Sequence, residues 1–102
     1  MANYQLSIVT PAGKIFDNTV ESLVAPGLMG SFGVLARHAP MVAQVNKGIL
    51  TVRNETQEEK YFAIGSGILE VSGDNKVLLL SGYANLCASR QEAQDKINAL
   101  KL

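Results

Sequence analysis

The stretch GILEVSGDNKVLLLSG, residues 67–82, sets the fold class. Two short runs rich in Ile, Leu and Val are separated by Gly73, Asp74 and Asn75. Gly, Asp and Asn tolerate the backbone angles of a tight reversal, so the segment predicts a β-hairpin. The pattern repeats outward. GILTVRN alternates Ile49, Thr51 and Arg53 against Leu50 and Val52. The polar NETQEE, residues 54–59, then leads as a hairpin loop into EKYFAIGSG. Upstream, YQLSIVT places Tyr4, Leu6 and Ile8 on one face, the two-residue period of a half-buried strand. PAGKIFDN offers a turn over residues 11–13 and an apolar pair, Ile15 and Phe16. VESLVAPG is a further strand, stopped by Pro26 and Gly27.

About eight to ten short strands at close spacing predict a mainly β protein, an antiparallel sandwich or flattened barrel. Parallel pairing is not expected, because each crossover needs about a dozen residues and the gaps are shorter. The texture changes near residue 88: ASRQEAQDKINALKL holds no Gly or Pro. Ser89 and Glu92 have capping-box spacing, in which the hydroxyl takes a first-turn N–H and the glutamate reaches back to the N-cap N–H. Ala93, Ile97 and Leu100 fall on one helical face, and Lys96 and Lys101 lie toward the negative end of the dipole. One amphipathic helix follows. A helix this short is marginal alone, below about 12–15 residues, so it must dock. The expected division is a β-sandwich over residues 1–87 and a helix over 88–102.

Composition bounds the function. The chain has 102 residues, 47% apolar, with nine basic and nine acidic side chains. That suits one folded domain and gives no electrostatic reason to bind nucleic acid or an anionic membrane surface. No apolar run approaches the ~20 residues that span a bilayer, and MANYQLSIVT lacks the basic and apolar regions of a signal peptide. Cys87 is the single cysteine, so no internal disulfide forms and a reducing, cytoplasmic compartment is expected. The NET triplet at Asn54 matches a glycosylation acceptor, a match that arises often by chance.

Few side chains suggest chemistry. The one histidine, His38, sits in GSFGVLARHAP, residues 30–40. As a general base it would need an orienting carboxylate and a nucleophile, and distant partners are available in Asp17, Ser66 or Cys87. No nucleophile elbow surrounds any of them, so a small hydrolase is the lesser reading. Cys87 reads as a small core residue. One Cys and one His do not make a four-ligand metal site. Gly65 and Gly67 lack the third glycine of a dinucleotide loop, since Glu70 stands there, and a bulge or tight bend is expected. No cofactor is expected. The turn-rich PGLMGSFG carries apolar Leu28, Met29 and Phe32, which either tuck into the core or mark a protein contact. A partner-dependent subunit or a free-standing protein-binding module therefore fits better than an enzyme.

The order of segments adds a resemblance. VTPAGKIFD, then GLMGSFGVL leading to HAP, then GIL with an alternating strand, then GSGILEV with a turn, is similar to the epsilon subunit of the rotary F-type ATP synthase (delta in mitochondria) over about residues 4–84. The resemblance implies a β-sandwich followed by helix, and a non-catalytic central-stalk subunit coupling the c-ring to gamma. It implies peripheral placement on the cytoplasmic side of a bacterial inner membrane, or the matrix or stromal side in an organelle. It places Leu28, Met29, Gly30, Ser31 and Phe32 in a loop facing the c-ring. It places His38, Ala39, Pro40 and Met41 in a turn at the gamma and ring interface. Two departures stand out. Ser31 occupies a loop where many relatives carry an acidic residue. The chain also stops after one helix, where the family has a two-helix hairpin. Its nucleotide motif would fall on Ala88, Ser89, Glu92 and Ala93, where only the alanine agrees, so no ATP binding is expected.

Overall fold

The computed structural model describes residues 2–100. The strands are β1 (Tyr4–Thr10), β2 (Gly13–Val20), β3 (Ser22–Gly27), β4 (Gly30–Leu35), β5 (Met41–Val45), β6 (Gly48–Arg53), β7 (Glu59–Ile64), β8 (Gly67–Val71), β9 (Lys76–Ser81) and β10 (Ala84–Cys87). One helix, α1 (Arg90–Ala99), follows them. Hydrogen bonding runs β10-β7-β6-β3-β5-β8-β9-β1-β2, with β4 on the free edge of β3. Strand β3 joins two layers. Its first half pairs with β6, while Gly27 at its end pairs with Val45 of β5. One layer is β4-β3-β6-β7-β10 and the other β5-β8-β9-β1-β2.

Side-chain alternation builds the core between the layers. Leu6, Ile8, Leu23, Val34, Leu50, Phe62, Leu69 and Leu79 are fully buried, each on the inward face of its strand. Phe16 of β2 meets Phe62 of β7 edge-to-face, with ring centroids 5.4 Å apart, stitching the two layers together. Tyr4 donates its phenol to the Val34 carbonyl at 2.8 Å, and burial pushes that phenol's pKa up.

The expected hairpins form. The loop over residues 54–58 is organised by Asn54, whose Oδ1 accepts from the Thr56 and Glu58 amides at 3.0 Å each. Of the bulge or tight bend expected at Gly65 and Gly67, the chain forms a bend, at Ser66 between β7 and β8, and a Cβ on Gly67 would collide with the Leu80 carbonyl oxygen. Ser89 caps α1, accepting from Glu92 N at 3.1 Å. Among the described residues the glutamate makes no return bond, so only half of the capping box is present. Ala93 and Ile97 bury against Ala63 and Cys87, with Ile49, Tyr61, Tyr83 and Leu100 at the margin. Cys87 is thus the small core residue the sequence predicts. Lys101, expected near the helix end, and Leu102 lie outside the described residues.

Two expectations are corrected. The sheet is not wholly antiparallel, because β1 runs parallel to β9, Leu6 facing Val77 and Ile8 facing Leu79. The crossover rule limits strands that are neighbours in sequence, and here seven strands intervene. Residues 28–32 are also not a continuous loop. Only residues 28–29 turn, and Gly30, Ser31 and Phe32 already belong to β4, paired with Gly27, Pro26 and Ala25.

Candidate functional site

Strand order decides which turns share an end of the sandwich. Strand β1 rises to Thr10 and β9 runs parallel to it, so the turns at residues 11–12 and 82–83 lie together. Antiparallel steps from β9 to β8, β5 and β3 add the turns at 65–66, 46–47 and 28–29 to the same end. The opposite end holds Glu21, residues 36–40, residues 54–58 and residues 72–75.

The tip at residues 28–29 is built by two glycines. Gly30 has φ +119°, a left-handed setting that side chains resist. Leu28 and Met29 keep negative φ, so the turn is not a mirror-image one, and Gly30 restores the strand twist. At Gly27 a Cβ would meet the Phe32 ring at 2.8 Å, so the bare backbone lets that ring fold over it. The apolar residues of this stretch therefore divide. Phe32 is half-buried against the core, while Leu28 is 57% exposed and Met29 fully exposed at 101%. A shallow groove of about 390 Å³, lined in part by Ala43 and Gln44, opens beside them.

His38 sits elsewhere. Strand β4 carries the chain from the tip to the far end, a span of roughly 17 Å at the usual rise per residue. His38, Ala39 and Pro40 and the tip at Leu28 and Met29 are therefore not one surface. His38 donates its amide to the Leu35 carbonyl at 3.2 Å, and its Nδ1 lies 2.7 Å from the Ala39 carbonyl oxygen. A carbonyl only accepts, so Nδ1 carries the proton. Arg37, at φ 63°, donates its amide to Asn75 Oδ1 at 2.7 Å, and Asn75 Nδ2 donates to the Asn3 carbonyl at 2.8 Å. One asparagine thus pins the His38 turn, the β8–β9 hairpin and the N-terminal strand. Sequence reading missed it because its partners are remote in the chain.

The nucleophile candidates do not converge on His38. Ser66 lies in a turn at the opposite end, Cys87 lies under α1, and Asp17 is held by Lys14 at 2.9 Å, Gln5 at 2.6 Å and Ser7 at 3.0 Å. Those bonds, Lys14 foremost, lower the Asp17 pKa. Glu59 is likewise lowered, by Arg53 at 2.8 Å and then Tyr61. Among the described residues no His, Cys, Asp and Glu group could hold a metal ion. No described helix is long and apolar enough to cross a membrane.

The residues thus build a small two-layer sandwich with a helix laid on one layer and an apolar hairpin tip at one end. The ATP synthase delta/epsilon chain beta-sandwich domain matches residues 3–85, and the chain belongs to that family. It is similar to the ATP synthase epsilon chain of Helicobacter acinonychis, 33% identical over 99% of this chain and 81% of that one. It is also similar to the epsilon chain of Pelotomaculum thermopropionicum, 37% identical over 91% of this chain and 75% of the other. Among solved structures, a chain of the Euglena gracilis mitochondrial ATP synthase, solved with its c-ring, matches at TM-score 0.79 and 25% identity. That match covers 84% of this chain and 54% of the Euglena chain. A chain from the central stalk and c-ring structure of the Tetrahymena thermophila mitochondrial ATP synthase shares the fold at TM-score 0.69 and 13% identity, over 80% of this chain and 65% of that one.

Proposed function

We propose that this chain is a non-catalytic rotor subunit of a proton-translocating F-type ATP synthase, clamped between gamma and the c-ring so that ion-driven rotation reaches the catalytic head. The observation that carries the reading is the exposed Leu28 and Met29 tip on a rigid two-layer sandwich, in a chain whose relatives are ATP synthase epsilon chains. Torque transmission needs a body that does not shear, and a continuous hydrogen-bonded sheet folded around a close-packed core deforms little. The tip end, with Ser31 and Phe32 behind it, faces the ring. The end carrying His38, Ala39, Pro40 and Met41 then points away from the ring, toward gamma. His38 serves there as a brace of its own turn.

The subunit sits peripherally on the cytoplasmic face of a bacterial inner membrane. Residues 1–87 are the coupling domain and the helix from residue 88 a separate, docked element. It takes no ATP: at the start of α1, Glu92 puts a carboxylate where a phosphate would need a cation. Calorimetric titration with ATP is expected to give no saturable heat.

The decisive experiment is reconstitution. Added to an epsilon-depleted synthase, the chain is expected to restore gradient-driven ATP synthesis. Met29→Glu is expected to leave the isolated domain folded and to impair that recovery. Tight binding to gamma without any recovery of synthesis would sink the reading.

A further inference from the structure

Backbone strain in this domain gathers at one junction. Three described residues other than glycine have positive φ, and two of them, Arg37 at 63° and Asn75 at 64°, are joined by a 2.7 Å hydrogen bond. Asparagine tolerates the left-handed setting, whereas arginine is at home on the other side of the map. A residue stays there only where its surroundings hold it. Here the hold comes from outside the turn. The turn's own bonds, from the His38 amide to the Leu35 carbonyl and between the His38 ring and the Ala39 carbonyl, reach no other element. Asn75 supplies the outside bond, its Oδ1 accepting from the Arg37 N–H and its Nδ2 donating to the Asn3 carbonyl at 2.8 Å. Next to Asn3, the Tyr4 phenol fixes the Val34 carbonyl where β4 leads out to the turn. Beyond His38 the chain comes back to the same hairpin: a Cβ on Gly73 would stand 3.8 Å from Pro40 Cγ, in ordinary contact. An open groove of about 480 Å³ runs between Pro40 and Met41 on one side and Ser72 and Gly73 on the other.

Resting on the function proposed above, we propose that Asn75 is a positioning residue for gamma binding, acting through the Arg37 amide to preset the turn over residues 36–40. Arg37, Ala39 and Pro40 are exposed, so the surface whose shape Asn75 sets is open to a partner. A turn already held loses less freedom on binding than one that gamma must first order. Freed from Asn75, Arg37 can return to negative φ. That rotation redirects the chain at His38 and swings Ala39 and Pro40 away from the β8–β9 hairpin. The residue that shapes the contact is therefore 38 positions away from the turn it shapes.

The test separates the two bonds of Asn75. Asn75→Asp keeps an oxygen for the Arg37 amide, tolerates the left-handed backbone, and loses the donor to Asn3. Asn75→Gly suits the backbone and loses both bonds. Amide exchange is followed by NMR in the full chain, and its affinity for isolated gamma is titrated. Asn75→Gly is expected to speed exchange at the Arg37 N–H by at least about tenfold while the Leu6 and Leu79 amides stay protected. It is expected to weaken gamma binding by about tenfold. Asn75→Asp is expected to keep the Arg37 amide protected and to bind gamma within about twofold of the unaltered chain, although it too has lost a stabilising bond. Unchanged Arg37 exchange in Asn75→Gly would overturn the inference. So would a freed Arg37 amide with gamma affinity intact, or an equal loss of affinity in both variants, since overall stability rather than the turn would then govern binding. Each of those results leaves gamma docking standing. Failure of the unaltered chain to bind gamma would overturn both this inference and the functional reading.

Discussion

Single atoms decide several positions here. Gly67 pairs with Ser81 and lies under the Leu80 carbonyl, with whose oxygen an added Cβ would collide. Backbone rather than a yielding side chain blocks that space, so Gly67→Ala must shift β8 against β9. A loss of about 2 kcal/mol or more is expected in urea unfolding, the upper part of the overpacking range. Asn75 is decided by hydrogen bonds instead. Its amide serves the Arg37 N–H and the Asn3 carbonyl at once, while its own φ is 64°. Asn75→Gly relieves the backbone but removes both bonds, so a net loss of about 1–2 kcal/mol is expected. An unchanged urea midpoint would mean that the pin holds nothing. The GSG bend was readable from sequence because a missing third glycine and strand-like neighbours excluded a nucleotide loop. The Asn75 pin was not, because nothing local to GDN announces partners at Asn3 and Arg37.

At the scale of elements, alternation is what made the fold legible. Strand β1 buries every second residue without exception, and β9 buries Val77, Leu79 and Ser81 in the same rhythm. The elements that escaped notice are those whose pattern is weak. Strand β4 buries only Val34, and its first residues lie in a stretch crowded with Pro26, Gly27, Gly30 and Gly33, so it reads as loop. Strand β10 is four residues long, at an edge. The acidic side chains add a pH dependence. Asp17, Glu59 and Asp74 all have lowered pKa values, each chiefly through a side-chain hydrogen bond, from Lys14, Arg53 and Ser72 respectively. A depressed carboxyl contributes stability above its unfolded value and loses it as pH falls through its folded one. Stability is therefore expected to be flat near neutrality and to decline below about pH 4, the ordinary carboxylate range. All three are exposed, so added salt should shrink the effect. The urea midpoint followed from pH 7 to pH 3 checks this, and Glu59→Gln is expected to flatten the decline.

For the whole molecule, the order in which the chain closes its sandwich sets what can be removed. Strand β1 pairs with β2 beside it and with β9, Gln5 facing Lys76 and Val9 facing Leu80. The N-terminal strand thus lies inside the sheet, between strands from opposite ends of the chain, and Leu6 and Ile8 are wholly buried in the main core. This closure was hidden from the sequence, since periodicity tells which face of a strand is buried and nothing about its neighbours. The helix stands in a different relation. Its apolar face packs on a separate cluster outside the main core, against Ala63, Cys87, Ile49 and Tyr61. Ending the chain after Cys87 uncovers that cluster but leaves every strand and the core between the layers in place. Such a protein is expected to unfold cooperatively in urea, with near-ultraviolet dichroism retained and stability lower by roughly 2–4 kcal/mol, the scale of losing one buried aliphatic side chain with its surroundings. Beginning the chain after Thr10 removes fewer residues yet strips a partner from β2 and β9 together. Loss of the cooperative transition is expected there. If the shortened C-terminus abolished cooperative unfolding too, the sandwich would depend on α1, and the boundary proposed at residue 87 would not divide two structural units.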